Sequence, residues 1–223
     1  MKAKLLLSAL TKFLCGLVLV GVLLFWPAGS FDFTGGWIFI GLLFIPMLIL
    51  GAVLLIKAPA LLEKRLDAKE KENAQKGVVA LSGILFLGGF IVAGLDFRFG
   101  WSSVPTWLVV VASVILLASY ALYAEVMREN AYLSRTVRVQ EGQKVVDTGL
   151  YGIVRHPMYA ATVWLFLSIP LVLGSFFSLL CFLPYPIIMA VRILDEERVL
   201  TAGLDGYADY KKKVKYRLIP FIW

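Results

Sequence analysis

The chain has 223 residues, of which 60% are hydrophobic and 17% are charged, and its mean hydropathy is +0.84. A soluble domain has roughly 45–50% apolar residues, so this composition predicts an integral membrane protein. The net charge of +7 comes from basic residues that flank apolar segments, which is typical of a topology signal rather than of nucleic-acid binding. One histidine and two separate cysteines exclude a disulfide framework and argue against a metal site.

The apolar segments predict an all-α protein with about six transmembrane helices. Residues 5–26, 37–56, 78–95 and 106–124 each have the length and composition of one span, and the first is too long for a cleaved signal peptide. The apolar run 158–191 is too long for one span. Pro170, Gly174 and Ser175 in its middle predict two short helices joined by a tight turn. Five crossings remain possible if this last pair is a re-entrant hairpin.

The basic residues predict the orientation of these spans. With six crossings, all 22 Lys and Arg residues except Arg98 fall at the N-terminus, in the two long loops or in the C-terminal tail. The positive-inside rule then places both termini and both loops in the cytoplasm, at the inner or plasma membrane if the source is bacterial. The first loop, residues 57–77, is predicted to be a solvated helical extension kinked near Pro59, with no function beyond anchoring.

The second long loop, residues 128–155, mixes polar and apolar residues. Val137, Arg138 and Val139 alternate, and Glu141-Gly142 has the composition of a turn, so a short extended or hairpin piece is predicted there. Loops this long inside compact proteins are usually functional. We expect it to fold back over the cytoplasmic mouth of the helix bundle, with the active site at that face.

The segment Arg155-His156-Pro157 stands where this loop re-enters the bilayer. Pro157 suits the first turn of a helix, which places His156 at or near the N-cap. The free N–H groups of such a helix start, together with Arg155, would suit a carboxylate or phosphate. The alternative is that Arg155 reaches to lipid phosphates and His156 only caps the helix.

Three acidic residues, Asp195, Glu196 and Glu197, follow the last predicted span. At the C-terminal end of a helix they oppose its dipole, which indicates a partner such as nearby basic residues or a bound cation. On a continuing helix Glu196 shares a face with Arg192 and Leu200. A surface set of salt bridges is the alternative. The tail beyond, with its tyrosines and lysines, is predicted either to dock on the membrane surface or to cover the site.

Three stretches of the C-terminal half resemble the membrane methyltransferases of the isoprenylcysteine carboxyl methyltransferase family, which is related to phospholipid methyltransferases. They are LDFRFGW (95–101), NAYLSRTVRVQEGQKVVDTGLYGIVRHPMYA (130–160) and DEERVLTAGLDGYADYKKKVKYRLIP (195–220). The resemblance implies S-adenosylmethionine as cofactor and a lipidic or amphipathic methyl acceptor, either a prenylcysteine-like carboxylate or an amine or phospholipid. The three spans in residues 1–95 are predicted from their composition to be an N-terminal scaffold, and the resemblance implies a methyltransferase-like region in residues 96–223.

The resemblance also implies which residues bind the cofactor: Gln143, Val145, Gly149, Tyr151, Arg155, His156, Pro157, Tyr159, Glu196, Glu197, Tyr207 and Tyr210. Their chemistry suits that molecule. Arg155 and His156 suit its carboxylate, Glu196 or Glu197 its ammonium or ribose, and tyrosine rings its sulfonium. For the reaction, Arg192 or Arg155 would orient a carboxylate acceptor, whereas Glu196 would deprotonate an amine acceptor.

Two other functions remain open on the sequence. A membrane reductase with a nicotinamide cofactor, similar to sterol reductases, would need a place for an extra phosphate and a proton donor. A small transporter or assembly protein without enzymatic activity is disfavoured, because the spans carry few polar residues at mid-bilayer depth.

Overall fold

A computed structural model describes residues 2–66, 73–133 and 139–223. Every regular element in these ranges is a helix. In chain order they are α1 (Lys2–Ala28), α2 (Thr34–Lys57), α3 (Pro59–Leu66), α4 (Asn73–Phe99), α5 (Thr106–Glu129), a 3₁₀ turn (Gly149–Gly152), α6 (Pro157–Val172), α7 (Phe176–Phe182), α8 (Tyr185–Gly203) and α9 (Tyr207–Lys213).

Five of these helical segments are long and apolar enough to cross a membrane. They are Lys4–Ala28, Thr34–Lys57, Lys76–Phe99, Thr106–Glu129 and Phe176–Gly203, the last comprising α7 and α8. Helix α6 is apolar but has only 16 residues. Many large apolar side chains on these helices face outward, which suits a lipid surface. The all-helical membrane class predicted from composition is therefore confirmed, while the total of six crossings stays a prediction.

The turn predicted inside the last apolar run lies between α6 and α7. Gly174 has a φ of +79°, and the Ser175 hydroxyl caps α7 by accepting a hydrogen bond from the N–H of Ser178. The predicted final helix is divided once more, between α7 and α8. Pro184 and Pro186 lack the N–H groups that would continue α7 without a break, which explains this second interruption.

Helix α8 continues to Gly203, well beyond the predicted end of the last span. Asp195, Glu196 and Glu197 therefore do not lie at a helix C-terminus, because nearly two further turns follow them, as on the continuing helix that the sequence also allowed. The helix dipole does not explain their need for partners, and long-range contacts must do so.

The predictions for the two long loops are confirmed in part. Helix α2 ends at Lys57 and α3 starts at Pro59, which confirms the kink, whereas residues 67–72 lie outside the described ranges. In the second loop, Gly142 has a φ of +67° and the N–H of Gln143 donates to the carbonyl of Gln140, so the predicted turn is present. No strand occurs in the described part of that loop, and Val137 and Arg138 lie outside it.

The core of the bundle forms where α4 and α6 meet their neighbours. Phe39, Leu116, Ile169 and Phe182 are buried there. A Cβ atom added at Gly94 would lie 2.6 Å from the carbonyl oxygen of Leu24, so α1 and α4 approach closely at this point. Helix α4 runs unbroken through the predicted boundary between residues 95 and 96.

A buried carboxylate closes the end of the bundle where α4 stops and α6 turns into α7. Asp96 is 1% exposed. Its Oδ1 accepts the N–H of Ser102 at 2.7 Å, and its Oδ2 accepts the hydroxyls of Ser102 at 2.6 Å and Ser175 at 2.5 Å. These bonds tie α4, the following loop and the turn before α7 together.

Candidate functional site

The N-terminus of α6 lies against the C-terminal tail. His156 is the N-cap residue and Pro157 occupies the first turn, as predicted, but the His156 side chain makes no capping bond. The N–H of Arg155 donates to the carbonyl of Tyr216, and that of His156 to the carbonyl of Arg217, both at 2.9 Å. The tail therefore uses backbone donors that were expected to face a ligand.

The Arg155 guanidinium is turned into the protein and not toward lipid phosphates. It is 6% exposed, its Nε donates to Glu197 at 2.6 Å, and its Nη1 donates to the carbonyls of Val214 and Lys215 at 2.7 and 2.8 Å. Its Nη2 makes no hydrogen bond within the described ranges. Arg155 thus binds the tail through Nη1, and its Nη2 group is available to another acceptor.

Glu197 is the common partner of three basic side chains. Its Oε1 accepts from Arg155 at 2.6 Å and lies 3.3 Å from Nε2 of His156, while its Oε2 accepts from Nε of Arg217 at 3.1 Å. The carboxylate is 3% exposed. A charged carboxylate that is buried to this extent requires basic partners of this kind.

Glu196, the next residue on α8, has different surroundings. Its Oε2 accepts the hydroxyl of Tyr159 at 2.6 Å, and the same hydroxyl accepts from Nε of Arg192 at 2.9 Å. Glu196 borders an open pocket, whereas Glu197 lies behind its wall. The sequence left open which acid faces a ligand, and the geometry points to Glu196.

The pocket contains about 740 Å³ of unfilled space, including the open part at its mouth. The predicted residues that line it are Gln143, Val145, Tyr151, Arg155, His156, Tyr159, Glu196, Tyr207 and Tyr210. Residues from the second loop, α6, α8 and α9 thus converge on one cavity.

Four predicted residues do not line this pocket. Gly149 lies beside the Glu129 carboxylate and Pro157 is buried in the first turn of α6. Glu197 is buried behind Arg155 and His156, and Arg192 lies behind Tyr159. Glu197 and Arg192 thus bond residues that form the wall without forming it themselves.

Several lining residues were not singled out by the sequence: Asn130, Tyr132, Leu133, Lys144, Val146, Met158, Leu200 and Leu204. Asn130 donates from Nδ2 to the Tyr151 hydroxyl at 3.0 Å and accepts from the N–H of Tyr132, so it shapes one side of the cavity. Asn130 opens the longest stretch that resembles the family, and Leu200 shares the helix face of Glu196. The first signal could have identified Asn130, and the second could have identified Leu200.

The two tyrosines of α9 differ in their hydroxyl groups. Tyr210 donates to the carbonyl of Tyr151 at 2.7 Å. Tyr207 is 4% exposed, and its hydroxyl has no hydrogen-bond partner in the described part of the chain. Burial raises the pKa of Tyr207 well above its usual range, so the hydroxyl stays protonated. A buried donor without a partner is costly, and a ligand oxygen in the pocket would satisfy it.

Comparisons with known proteins find similarity in the part of the chain that contains much of this pocket. A family model described as the Isoprenylcysteine carboxyl methyltransferase (ICMT) family matches residues 108–202. The uncharacterized protein YpbQ of Bacillus subtilis (strain 168) is 28% identical over 96 residues, which cover 43% of this chain and 57% of that protein. The family match suggests a membrane methyltransferase. The resemblance that the motifs indicated is thereby confirmed over residues 108–202, which are similar to the isoprenylcysteine carboxyl methyltransferase family.

Proposed function

We propose that this protein is an integral membrane methyltransferase that uses S-adenosylmethionine, bound in the pocket between the second loop, α6, α8 and α9. The observation that carries the proposal is the unpartnered, buried Tyr207 hydroxyl on the pocket wall. The same pocket is lined by Glu196 and by three basic side chains, Lys144, Arg155 and His156, which suits a zwitterionic ligand with hydroxyl groups. The family match supports methyl transfer as the reaction.

The donors and acceptors on the pocket wall fit this cofactor. The Nη2 group of Arg155 and the ring of His156 would hold its carboxylate. The Oε1 oxygen of Glu196 would accept from its ammonium or ribose hydroxyls, and Tyr207 would donate to a ribose or adenine acceptor. The rings of Tyr159 and Tyr207 suit the sulfonium.

When bound, the cofactor supplies an electrophilic methyl group. The protein has to hold the acceptor in line with that methyl group and keep water out of the pocket. Neither task requires a covalent bond between the protein and a reactant. Glu196 would take the proton of an amine acceptor. Because Arg192 bonds the Tyr159 hydroxyl behind the wall, it would act by holding Tyr159 and Glu196 in place.

We further propose that the acceptor is lipidic or amphipathic and enters sideways from the bilayer. Helices α6 and α8 supply pocket residues and also expose Trp164, Ile187 and Val191 outward. A ligand could therefore keep an apolar chain among lipids while its polar end reaches the pocket. The charge distribution supports a cytoplasmic position for this site.

Calorimetric titration of the purified protein with S-adenosylmethionine tests the cofactor. Tyr207→Phe should weaken binding about tenfold, or 1.4 kcal/mol, because it removes a donor to the ligand. Its thermal stability should not fall, because the hydroxyl has no protein partner to lose. Tyr216→Phe is the matched control, since this tail tyrosine does not line the pocket and should leave binding unchanged.

Titration with a phosphorylated nicotinamide cofactor distinguishes the alternative. Binding of that molecule in place of S-adenosylmethionine would contradict the proposal and favour a reductase. Incubation with methyl-labelled S-adenosylmethionine and a panel of membrane lipids, carboxylate and amine, then identifies the acceptor. Efficient methylation of a water-soluble acceptor without lipid would overturn sideways entry.

A further inference from the structure

We propose that Glu197 is a positioning residue that fastens the C-terminal tail across the start of α6, so that docking of the tail and binding of the cofactor are coupled. The proposal rests on the proposed function for the identity of the cofactor. It assigns the two adjacent acids to different tasks: Glu196 faces the ligand, and Glu197 holds the structure that closes the pocket.

The first support is the geometry around the Glu197 carboxylate. Arg155 and His156 approach it from the start of α6, and Arg217 approaches it from the tail. Both oxygens are occupied by these side chains, and the residue lies outside the pocket. A ligand would have to displace buried partners to reach it, whereas Glu196 offers an oxygen at the pocket wall.

The second support is the path of the tail. The carbonyls of four successive residues, 214–217, all accept from Arg155 or His156, through the guanidinium or the backbone N–H groups. Arg155 is held in that orientation by Glu197. The carboxylate therefore fixes the tail twice, once directly through Arg217 and once through Arg155.

The third support is what the tail carries. Helix α9 lies immediately before residues 214–217 and brings Tyr207 and Tyr210 to the pocket. Tyr207, Tyr210 and Val214 pack with Leu204, and Val145 of the opposite wall packs against this cluster. Release of residues 214–217 would free the C-terminal end of α9 and loosen one wall of the cavity.

Coupling follows because the same side chains serve the pocket and the anchor. Arg155 and His156 border the pocket on one side and contact Glu197 on the other. A ligand that binds only the docked arrangement must favour docking, by the differential affinity of the two states. Loss of the Glu197 charge would leave the buried Arg155 and His156 and the partly exposed Arg217 without their common acid, and would disfavour the docked tail.

The test is limited trypsin digestion, because the tail carries cleavage sites at Lys211, Lys212, Lys213 and Lys215. Wild-type protein, Glu197→Gln and the matched Glu196→Gln are digested with and without S-adenosylmethionine. Without ligand, Glu197→Gln should be cleaved in the tail at least about tenfold faster than wild type, since cleavage tracks the undocked population. Glu196→Gln should be cleaved like wild type. The ligand should protect the wild-type tail further.

Kinetics provide a second readout that a merely structural defect would not show. In Glu197→Gln the KM for S-adenosylmethionine should rise about tenfold, while kcat at saturating cofactor should stay within about threefold, because ligand binding restores docking. Arg217→Gln, at the more exposed member of the cluster, should produce the same pattern more weakly and keeps the proposal testable if Glu197→Gln does not fold.

The outcomes separate this inference from the proposed function. Wild-type rates of tail cleavage in Glu197→Gln or in the folded Arg217→Gln protein would overturn the positioning role, whether or not the cofactor binds. Suppose instead that the wild-type protein does not bind S-adenosylmethionine, but that Glu197→Gln still speeds cleavage of the tail. The proposed cofactor and its coupling to the tail would then be refuted, whereas the anchoring role of Glu197 would stand.

Discussion

Two buried carboxylates lie near opposite ends of α6 and are used differently. Asp96, near the end of α6, accepts three hydrogen bonds from neutral donors. Glu197, near its start, is surrounded by Arg155, His156 and Arg217. Helix α6 has 16 residues and is therefore about 24 Å long. The comparison shows that neutral donors suffice to close one end of the bundle, while basic partners and an adjacent pocket mark the end suited to a charged ligand.

The two ends also differ in how completely they are packed. Beside Asp96, the backbones of α1 and α4 approach so closely at Gly94 that no side chain fits. Beside Glu197, the Tyr207 hydroxyl is buried without a partner on the wall of an open cavity. Substitutions near Asp96 should therefore reduce stability, and substitutions near the pocket should reduce ligand binding.

The largest expected effect is from Asp96→Ala. It leaves two hydroxyls and one N–H without their common acceptor, which should lower the free energy of unfolding by about 3 kcal/mol. Thermal unfolding of the protein in detergent micelles measures this change. Asp96→Asn keeps an acceptor oxygen and should lose less. The folded fraction of both variants should bind S-adenosylmethionine like wild type, and weaker binding would contradict the division between the two ends.

A smaller loss is expected from Gly94→Ala. The added methyl group meets the backbone of α1, so overpacking should lower the free energy of unfolding by about 2 kcal/mol. Gly88→Ala is the matched control on the same helix, because nothing lies within 4 Å of its Cβ position. The same unfolding assay compares them. Equal stabilities for the two variants would show that α1 and α4 can separate at little cost.

The smallest expected change is from His156→Ala. Cofactor affinity measured by calorimetry should fall at least about tenfold, or 1.4 kcal/mol, because a pocket-lining donor is lost. The protein should still insert and fold, since the backbone N–H bond to Arg217 and the anchor between Arg155 and Glu197 remain. Unchanged affinity would remove His156 from the ligand site.

The predictions from sequence were most successful where the cause is local. The turn at Gly174 and Ser175, the helix break before Pro59 and the start of α6 at Pro157 all follow from the backbone chemistry of those residues. The division between α7 and α8 was missed because the apolar run was divided only at its most obvious turn, although the two prolines at 184 and 186 signal it.

The candidate site could be predicted only in part. Nine predicted residues meet at one pocket, because the resemblance to the family indicates residues that are distant in sequence and close in space. Asn130 was missed although it opens the longest stretch that resembles the family, since a single amide at a helix end has no distinctive local pattern. The partners of Arg155 were also missed: its side chain reaches Glu197, 42 residues away, and Val214, 59 residues away.

The amino-acid sequence alone determined the membrane class, the main helices and the family resemblance of residues 108–202, because hydropathy, proline and glycine act locally and motifs keep their spacing. Only the tertiary structure decided that Glu196 borders the pocket while Glu197 pairs with Arg155, His156 and Arg217. These neighbours on one helix point in directions about 100° apart, and what each one meets depends on how α6, α8 and the tail pack.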